Sequence, residues 1–316
     1  MIISESDCKP SRTDFDVAIV AIGYEKRCRW VVSECNITAR VKIGLLFGFL
    51  TVGSYSENEL FFQRRGFSSI KGLGTEVPEA LRALIAAVAN TDYGIRLFVD
   101  ISSMSREMAA NVVLGIDLVR RSTLVEITVA YAPSAFSGVY PCAPILHARP
   151  IKTELAGWSA RPEKPLGIVL GIGCEEGLAL GALQFLEPDK AWIFSPIGLD
   201  AQFDLAVGAA NEHIGEIFDA SVFRYDLGSG TITRGRFEAL LNSVDGDFRV
   251  VAVPFGPKIL NWLFVSTIVF NGRRDVGIWS FSSKEIGSVV DRGAEGPIVW
   301  HQSTVISEGS TSDLSV

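Results

Sequence analysis

One pattern recurs along this 316-residue chain and restricts its fold more than any other: short, unbroken apolar runs alternate with stretches whose apolar positions fall three or four residues apart. Residues 16–23 (DVAIVAIG) form the first such run and end in glycine. An apolar run without polar alternation is the mark of a strand buried on both faces, whereas the three-or-four spacing marks an amphipathic helix. Strands are expected at 16–23, 41–49, 95–99 (leading into Asp100) and 124–131, with helices at 26–35, 57–65, 76–89 and 103–121. The last of these is the clearest helix in the chain, with serines near its start and arginines at its end.

The rhythm lapses over residues 133–165, where prolines stand at 133, 141, 144, 150, 162 and 165, and it resumes at 166. Strands are expected at 166–173, 190–195, 222–225, 248–253 and 276–281, and helices at 175–186, 202–218, 234–242 and 257–270. Strands alternating with helices imply parallel sheets covered by helices. The expectation is therefore an α/β protein of two tandem Rossmann-like, doubly wound parallel-sheet domains. Residues 14–132 form the first and 166–283 the second, with a proline-rich linker or crossing segment at 133–165 and a C-terminal extension at 284–316. Its tail after Gln302 is small and polar and is expected to be mobile.

Composition narrows the function classes. At 48% hydrophobic and 21% charged residues, with mean hydropathy +0.29, the chain is too apolar for a disordered protein. No apolar run approaches the ~18 residues of a membrane span, and residues 1–13 are polar and carry Glu5 and Asp7. A cytoplasmic protein without signal peptide or membrane contact is the expectation. A net charge of −7 argues against a general nucleic-acid coat while leaving room for a local basic pocket. Five cysteines with no CxxC pair, and only three histidines, point to reduced thiols and to no structural metal. The high apolar content hints at a buried subunit interface, so self-association is also an expectation.

Ligands of open parallel sheets bind at the carboxyl ends of the strands, where loops and helix N-termini converge. Four turns there carry unusual residues. After the first strand comes Gly23-Tyr24-Glu25-Lys26-Arg27, a polar wall in which Tyr24, Glu25 and Arg27 are candidates, unless Glu25 only favours a helix dipole. After the third comes Asp100-Ile101-Ser102-Ser103-Met104-Ser105-Arg106. Ser102, Ser103 and Arg106 at a helix start suit an anion, although N-capping by Ser102 or Ser103 would account for one serine.

The third turn is Gly171-Ile172-Gly173-Cys174-Glu175-Glu176-Gly177, one residue too long for the dinucleotide fingerprint and burdened with two glutamates. There Gly173 would line the turn and Glu175 would contact a ribose or base edge. The fourth is Pro254-Phe255-Gly256-Pro257-Lys258. Gly256 would let backbone approach a ligand, and Lys258, a cation opposing a helix dipole, would be offset by an anion. Pro196 and Gly198, after the neighbouring strand, would form the other lip. His147, His213 and His301 have no Cys or carboxylate at ligand spacing and read as surface or capping residues. Trp192, Trp262 and Trp279 read as core, and Asp245 with Asp247 as a turn.

At the turn 100–106 and the turn 254–258 the sequence resembles the CRISPR-associated Rossmann-fold (CARF) domains and the related SAVED sensors, which join two such units in one chain. That resemblance covers about residues 14–283. It implies a cyclic or linear oligonucleotide second messenger bound across the two halves, in prokaryotic antiviral defence, and an effector carried by a separate protein subunit.

Three readings follow. The first is a nucleotide-binding sensor or regulatory subunit without a further cofactor, its pocket lined by Arg27, Ser102, Ser103, Arg106 and Lys258. The second is a nucleotide-processing hydrolase with Glu25 and Asp100 as general acid and base. The third is a ligand-free scaffold subunit.

Overall fold

A computed structural model describes residues 1–48, 51–88, 94–138, 145–157, 162–282 and 291–307. Cys142, Pro141, Pro144, the last residues of the strand expected at 41–49 and of the helix expected at 76–89, and the tail from 308 lie outside the described residues. The chain divides into two units: Met1–Ala135 with Val269–Gly272 and Val289–Val316, and Phe136–Ile268 with Arg273–Ser288.

In the first unit the strands are β1 (Ile2–Ser6), β2 (Asp14–Ile22), β3 (Thr38–Leu46), β4 (Ser68–Lys71), β5 (Ile95–Asp100), β6 (Val125–Tyr131) and, from the far end of the chain, a strand at Val299–Val305. Between them run a 3-10 turn at Lys26–Arg29 and the helices α1 (Trp30–Glu34), α2 (Tyr55–Arg64), α3 (Val77–Ala86) and α4 (Arg106–Val119). The fully buried run of β2 does what its sequence requires: Ala18, Val20 and Ile22 share one core with Val31, Val32 and Phe62 from the helices that follow.

The second unit starts with β7 (His147–Pro150) and a 3-10 turn at Thr153–Leu155. It continues as β8 (Leu166–Gly171), α5 (Leu178–Leu186), β9 (Lys190–Ile197), α6 (Ala201–Ala210), α7 (Ile214–Ile217), β10 (Ala220–Asp226), α8 (Gly230–Val244), β11 (Arg249–Pro254), α9 (Lys258–Phe270) and β12 (Gly277–Ser282). Phe194 of β9, Phe237 of α8 and Phe264 of α9 meet in its interior, the last two rings stacked at 3.9 Å. The strand Val299–Val305, β13, completes the numbering.

Both units are α/β and both sheets are dominated by parallel pairs. The seven-stranded sheet runs β1-β13-β6-β5-β2-β3-β4 and the six-stranded sheet β10-β9-β8-β11-β12-β7. In each, after one strand laid at the sheet's edge (β1 or β7), the chain enters an inner strand (β2 or β8), moves outward over two neighbours, then returns to the other side of that inner strand (β5 or β11). Each also ends in antiparallel pairing, β13 on β6 and β7 on β12. The two halves therefore repeat one plan, including the order 3-2-1-4-5 of a doubly wound sheet.

Several local features depart from the sequence expectations. Residues 133–165 are more than a linker, because His147–Pro150 pairs with β12. The tail after Gln302 is not simply mobile, since Ser303–Thr304–Val305 belong to β13 in mid-sheet. The helix expected at 202–218 is broken, because Asn211 turns its amide onto the carbonyls of Val207 and Gly173, both at 2.8 Å. No helix among the described residues is long and apolar enough to cross a membrane.

Candidate functional site

In a sheet of this order the crevice opens between the two strands at which the winding reverses: β2 and β5 in the first unit, β8 and β11 in the second. The four turns picked out in the sequence are the four turns that follow these strands. They fall into two pairs with different interiors.

In the first unit, Gly23 lies directly against Ser103, and a Cβ on Gly23 would sit 3.3 Å from that of Ser103. The turn after β2 is held from beneath. The Asn58 amide on α2 donates to the carbonyls of Gly23 and Glu25, both at 2.9 Å, and the Ser54 amide donates to the Tyr24 carbonyl. Asp291 accepts from the Lys26 amide at 2.7 Å and from the Ser54 hydroxyl at 2.6 Å. Folded into this frame is an ion pair, Arg27 Nε to Glu25 Oε2 at 2.8 Å, with side chains 5% and 10% exposed. Arg27 also donates to the Ala132 carbonyl after β6. Burial works against its charge, but Tyr131 and Glu25 outweigh that and raise its pKa above the ordinary value. The half-buried Tyr24 phenol is raised as well, by burial first and by Glu25 second.

The turn after β5 is bonded internally. Asp100 Oδ1 accepts the Ser102 amide at 2.9 Å, and the Ser102 hydroxyl accepts the Ala132 amide at 2.8 Å. Asp100 and Ser102 are both buried, so they lock the ends of β5 and β6 rather than face solvent. The cap of α4 is neither Ser102 nor Ser103 but Ser105, whose hydroxyl accepts from the Met108 amide. Among the described residues the buried Ser103 hydroxyl has only the Cys28 thiol as a hydrogen-bond partner, a weak one, and Asn58 Oδ1 has no well-aligned partner. Arg106, the first residue of α4, and Tyr24 are half-buried beside this polar interior. The nearby Cys28 thiol donates to the Ala21 carbonyl, and burial pushes its pKa up to about 12, so it is inert packing.

The second unit fills the corresponding place with backbone. Gly256 has φ +73°, and a side chain there would strike the Ile172 carbonyl. A Cβ on Gly173 would lie 2.8 Å from Gly256 Cα, and one on Gly171 2.9 Å from the Phe255 carbonyl. These glycines serve the contact of one turn with the other, and Gly256 approaches protein rather than open space. Glu175 and Lys258 are half-buried, Lys258 opening α9. Pro196 is not in a turn: it lies buried within β9, opposite Tyr225 of β10. Gly198 follows the strand and donates its amide to Asp204 at 2.6 Å.

Sequence reasoning missed Asn58, Tyr131 and Asp291, which reach the first site from distant elements. It also misplaced His301. That histidine is 1% exposed on β13, with Asp7 2.9 Å from Nδ1 and Glu5 3.3 Å from Nε2. Its carboxylates are 294 and 296 residues away, beyond any local spacing rule. Trp192 and Trp262 are buried as expected, while Trp279 is only half-buried. Cys8, Cys28, Cys35 and Cys174 are free thiols, and no cluster among the described residues could hold a metal.

Comparison with known proteins adds little. No family model matches the chain, and no curated protein does. Among solved structures, a universal stress protein from Archaeoglobus fulgidus DSM 4304 aligns over 83% of this chain and 94% of its own, at 12% identity and a TM-score of 0.26. A likeness that remote carries no argument about function.

Proposed function

We propose that the chain is a binding protein whose first unit receives a phosphorylated nucleotide at the crevice between β2 and β5. The observation that carries the reading is the buried Ser103 hydroxyl, packed against Gly23 at the point where the winding reverses, with only the Cys28 thiol for a hydrogen-bond partner among the described residues. Buried polar atoms in folded proteins are nearly all hydrogen-bonded, and a thiol is a weak partner. A phosphate oxygen would supply a stronger one, and the N-terminus of α4 with Arg106 would add favourable charge. Tyr24 offers a ring edge for a base. Glu25 serves to hold Arg27 in place, which argues against the acid–base role for Glu25 and Asp100. The finer reading, taken from the CARF and SAVED resemblance, is an oligonucleotide second messenger and a separate effector subunit.

A thermal-shift panel of mono-, di- and cyclic oligonucleotides, with the spent mixtures weighed by mass spectrometry, tests this. A ligand at 100 times its dissociation constant stabilises by about 2.7 kcal/mol. The expected result is a shift that is lost in Arg106→Ala, retained in Lys258→Ala, and accompanied by unchanged ligand mass. Loss of ligand mass would replace the reading with the hydrolase. No shift with any nucleotide would overturn it in favour of the scaffold.

A further inference from the structure

A second cavity of about 300 Å³ lies in the first unit, on the face of the sheet near the start of β5 and β6. Strand register explains how it is floored. Arg96 of β5 stands opposite Glu126 of β6, Glu126 opposite Thr304 of β13, and Thr304 opposite Ser4 of β1. Because side chains alternate across a strand, these four project on one face. The next row on that face runs from Phe98 through Thr128 and Gln302 to Ser6. Phe98 is wholly buried in the core, so the same face passes from hydrocarbon to a patch of hydroxyls, an amide and charges. Residues 10–12, between β1 and β2, line the cavity as well and bring in Arg12.

The charges around it are unequally committed. Arg96 is engaged with Asp14 at 3.2 Å and Asp16 at 3.7 Å, and Glu5 with His301. Arg12 and Glu126, both exposed, have no ion pair among the described residues. A simple anion in this cavity would face Glu126, a simple cation would face Arg12, and a neutral ligand would use neither charge. A molecule bearing one charge of each sign complements both.

We propose that this cavity binds a small zwitterion of the amino-acid type, its carboxylate on Arg12 and its ammonium on Glu126, with Ser4, Thr304 and Gln302 bonding the remainder. The volume is at the low end for small-molecule sites, which suits such a ligand. The proposal is independent of the nucleotide reading, which concerns the opposite ends of the strands.

The test is calorimetric titration of the full chain with each standard amino acid at millimolar concentration, with acetate and methylamine as single-charge controls. At least one amino acid is expected to bind saturably, with neither control binding. Arg12→Ala and Glu126→Gln, both at exposed positions, are each expected to weaken that binding tenfold or more, the loss of one charge-assisted contact. No binding by any amino acid would overturn the proposal. So would equal binding by either control, or a loss confined to one variant or to neither.

Discussion

Where β2 and β5 end, the first unit folds an arginine, a glutamate, an aspartate and two serines into its interior; where β8 and β11 end, the second unit presses glycine backbone against glycine backbone. Topology is the same in both, so topology alone does not decide whether a crevice serves a ligand. The second unit holds the more suggestive motif, a near-fingerprint of glycines, yet those glycines are consumed in packing. The first unit has no such motif, and its turns keep a buried polar interior that is incompletely satisfied. The difference teaches that glycine spacing reports close approach of backbone, while what approaches it must be read from the fold.

The largest effect expected from perturbing either side belongs to the buried ion pair. Arg27→Met leaves Glu25 buried without its counter-charge and is expected to cost about 3–5 kcal/mol in denaturant unfolding. Adding Glu25→Leu is expected to restore much of that loss, because the pair then leaves together. A small cost for the single variant would mean that the first interior is wetter than described.

Next is the glycine contact. Gly256→Ala forces a side chain onto a left-handed backbone and into the Ile172 carbonyl, for about 2–3 kcal/mol or more. Gly23→Ala, with 3.3 Å to its nearest neighbour, is expected to cost no more than about 1 kcal/mol. Equal costs, measured by thermal or chemical unfolding, would erase the contrast between a packed and a polar crevice.

A smaller effect separates the two ends of the first sheet. Burial alone would lower the His301 pKa, but bonding and charge from Asp7 and Glu5 outweigh it and hold the value above the ordinary 6.5. A raised folded-state value stabilises below the unfolded pKa and is lost as pH rises through the folded one. Unfolding free energy is therefore expected to decline above pH 6.5, with this slope missing in His301→Asn. A wild-type profile matching the variant would show that the histidine is not charged in the fold. The least effect on stability is expected from Ser103→Ala, within about 0.5 kcal/mol of wild type, since the bond removed with the hydroxyl is to the Cys28 thiol, a weak partner. A larger loss would show that the hydroxyl is well satisfied within the fold and weaken the case for a ligand.

The inner strands were legible because they are buried on both faces and therefore apolar without interruption, as in 16–23 and 166–171. The strands that escaped are edge, antiparallel or polar: IISES of β1, SSIK of β4, HARP of β7 and the hydroxyl-rich VWHQSTV of β13. Half-polar segments like these acquire strand structure from their neighbours rather than from their own composition. At the site, the turns could be found because strand ends mark them. Which side chains stay open to a ligand could not, because Ser102 and Arg27 are claimed by the Ala132 backbone after β6, contacts that only the assembled sheet creates, while Asp100 and Glu25 turn onto neighbours two residues away. Asn58 and Asp291 gave no signal, since each is an ordinary polar residue until the fold places it under the turn after β2.

Hydrogen exchange read by mass spectrometry, with and without whichever nucleotide gives the largest thermal shift, tests the asymmetry most directly. The prediction is new protection in peptides covering residues 23–27 and 100–106, with those covering 171–175 and 254–258 unchanged. Protection confined to the second pair would contradict it, and would place the ligand at the crevice where backbone now meets backbone.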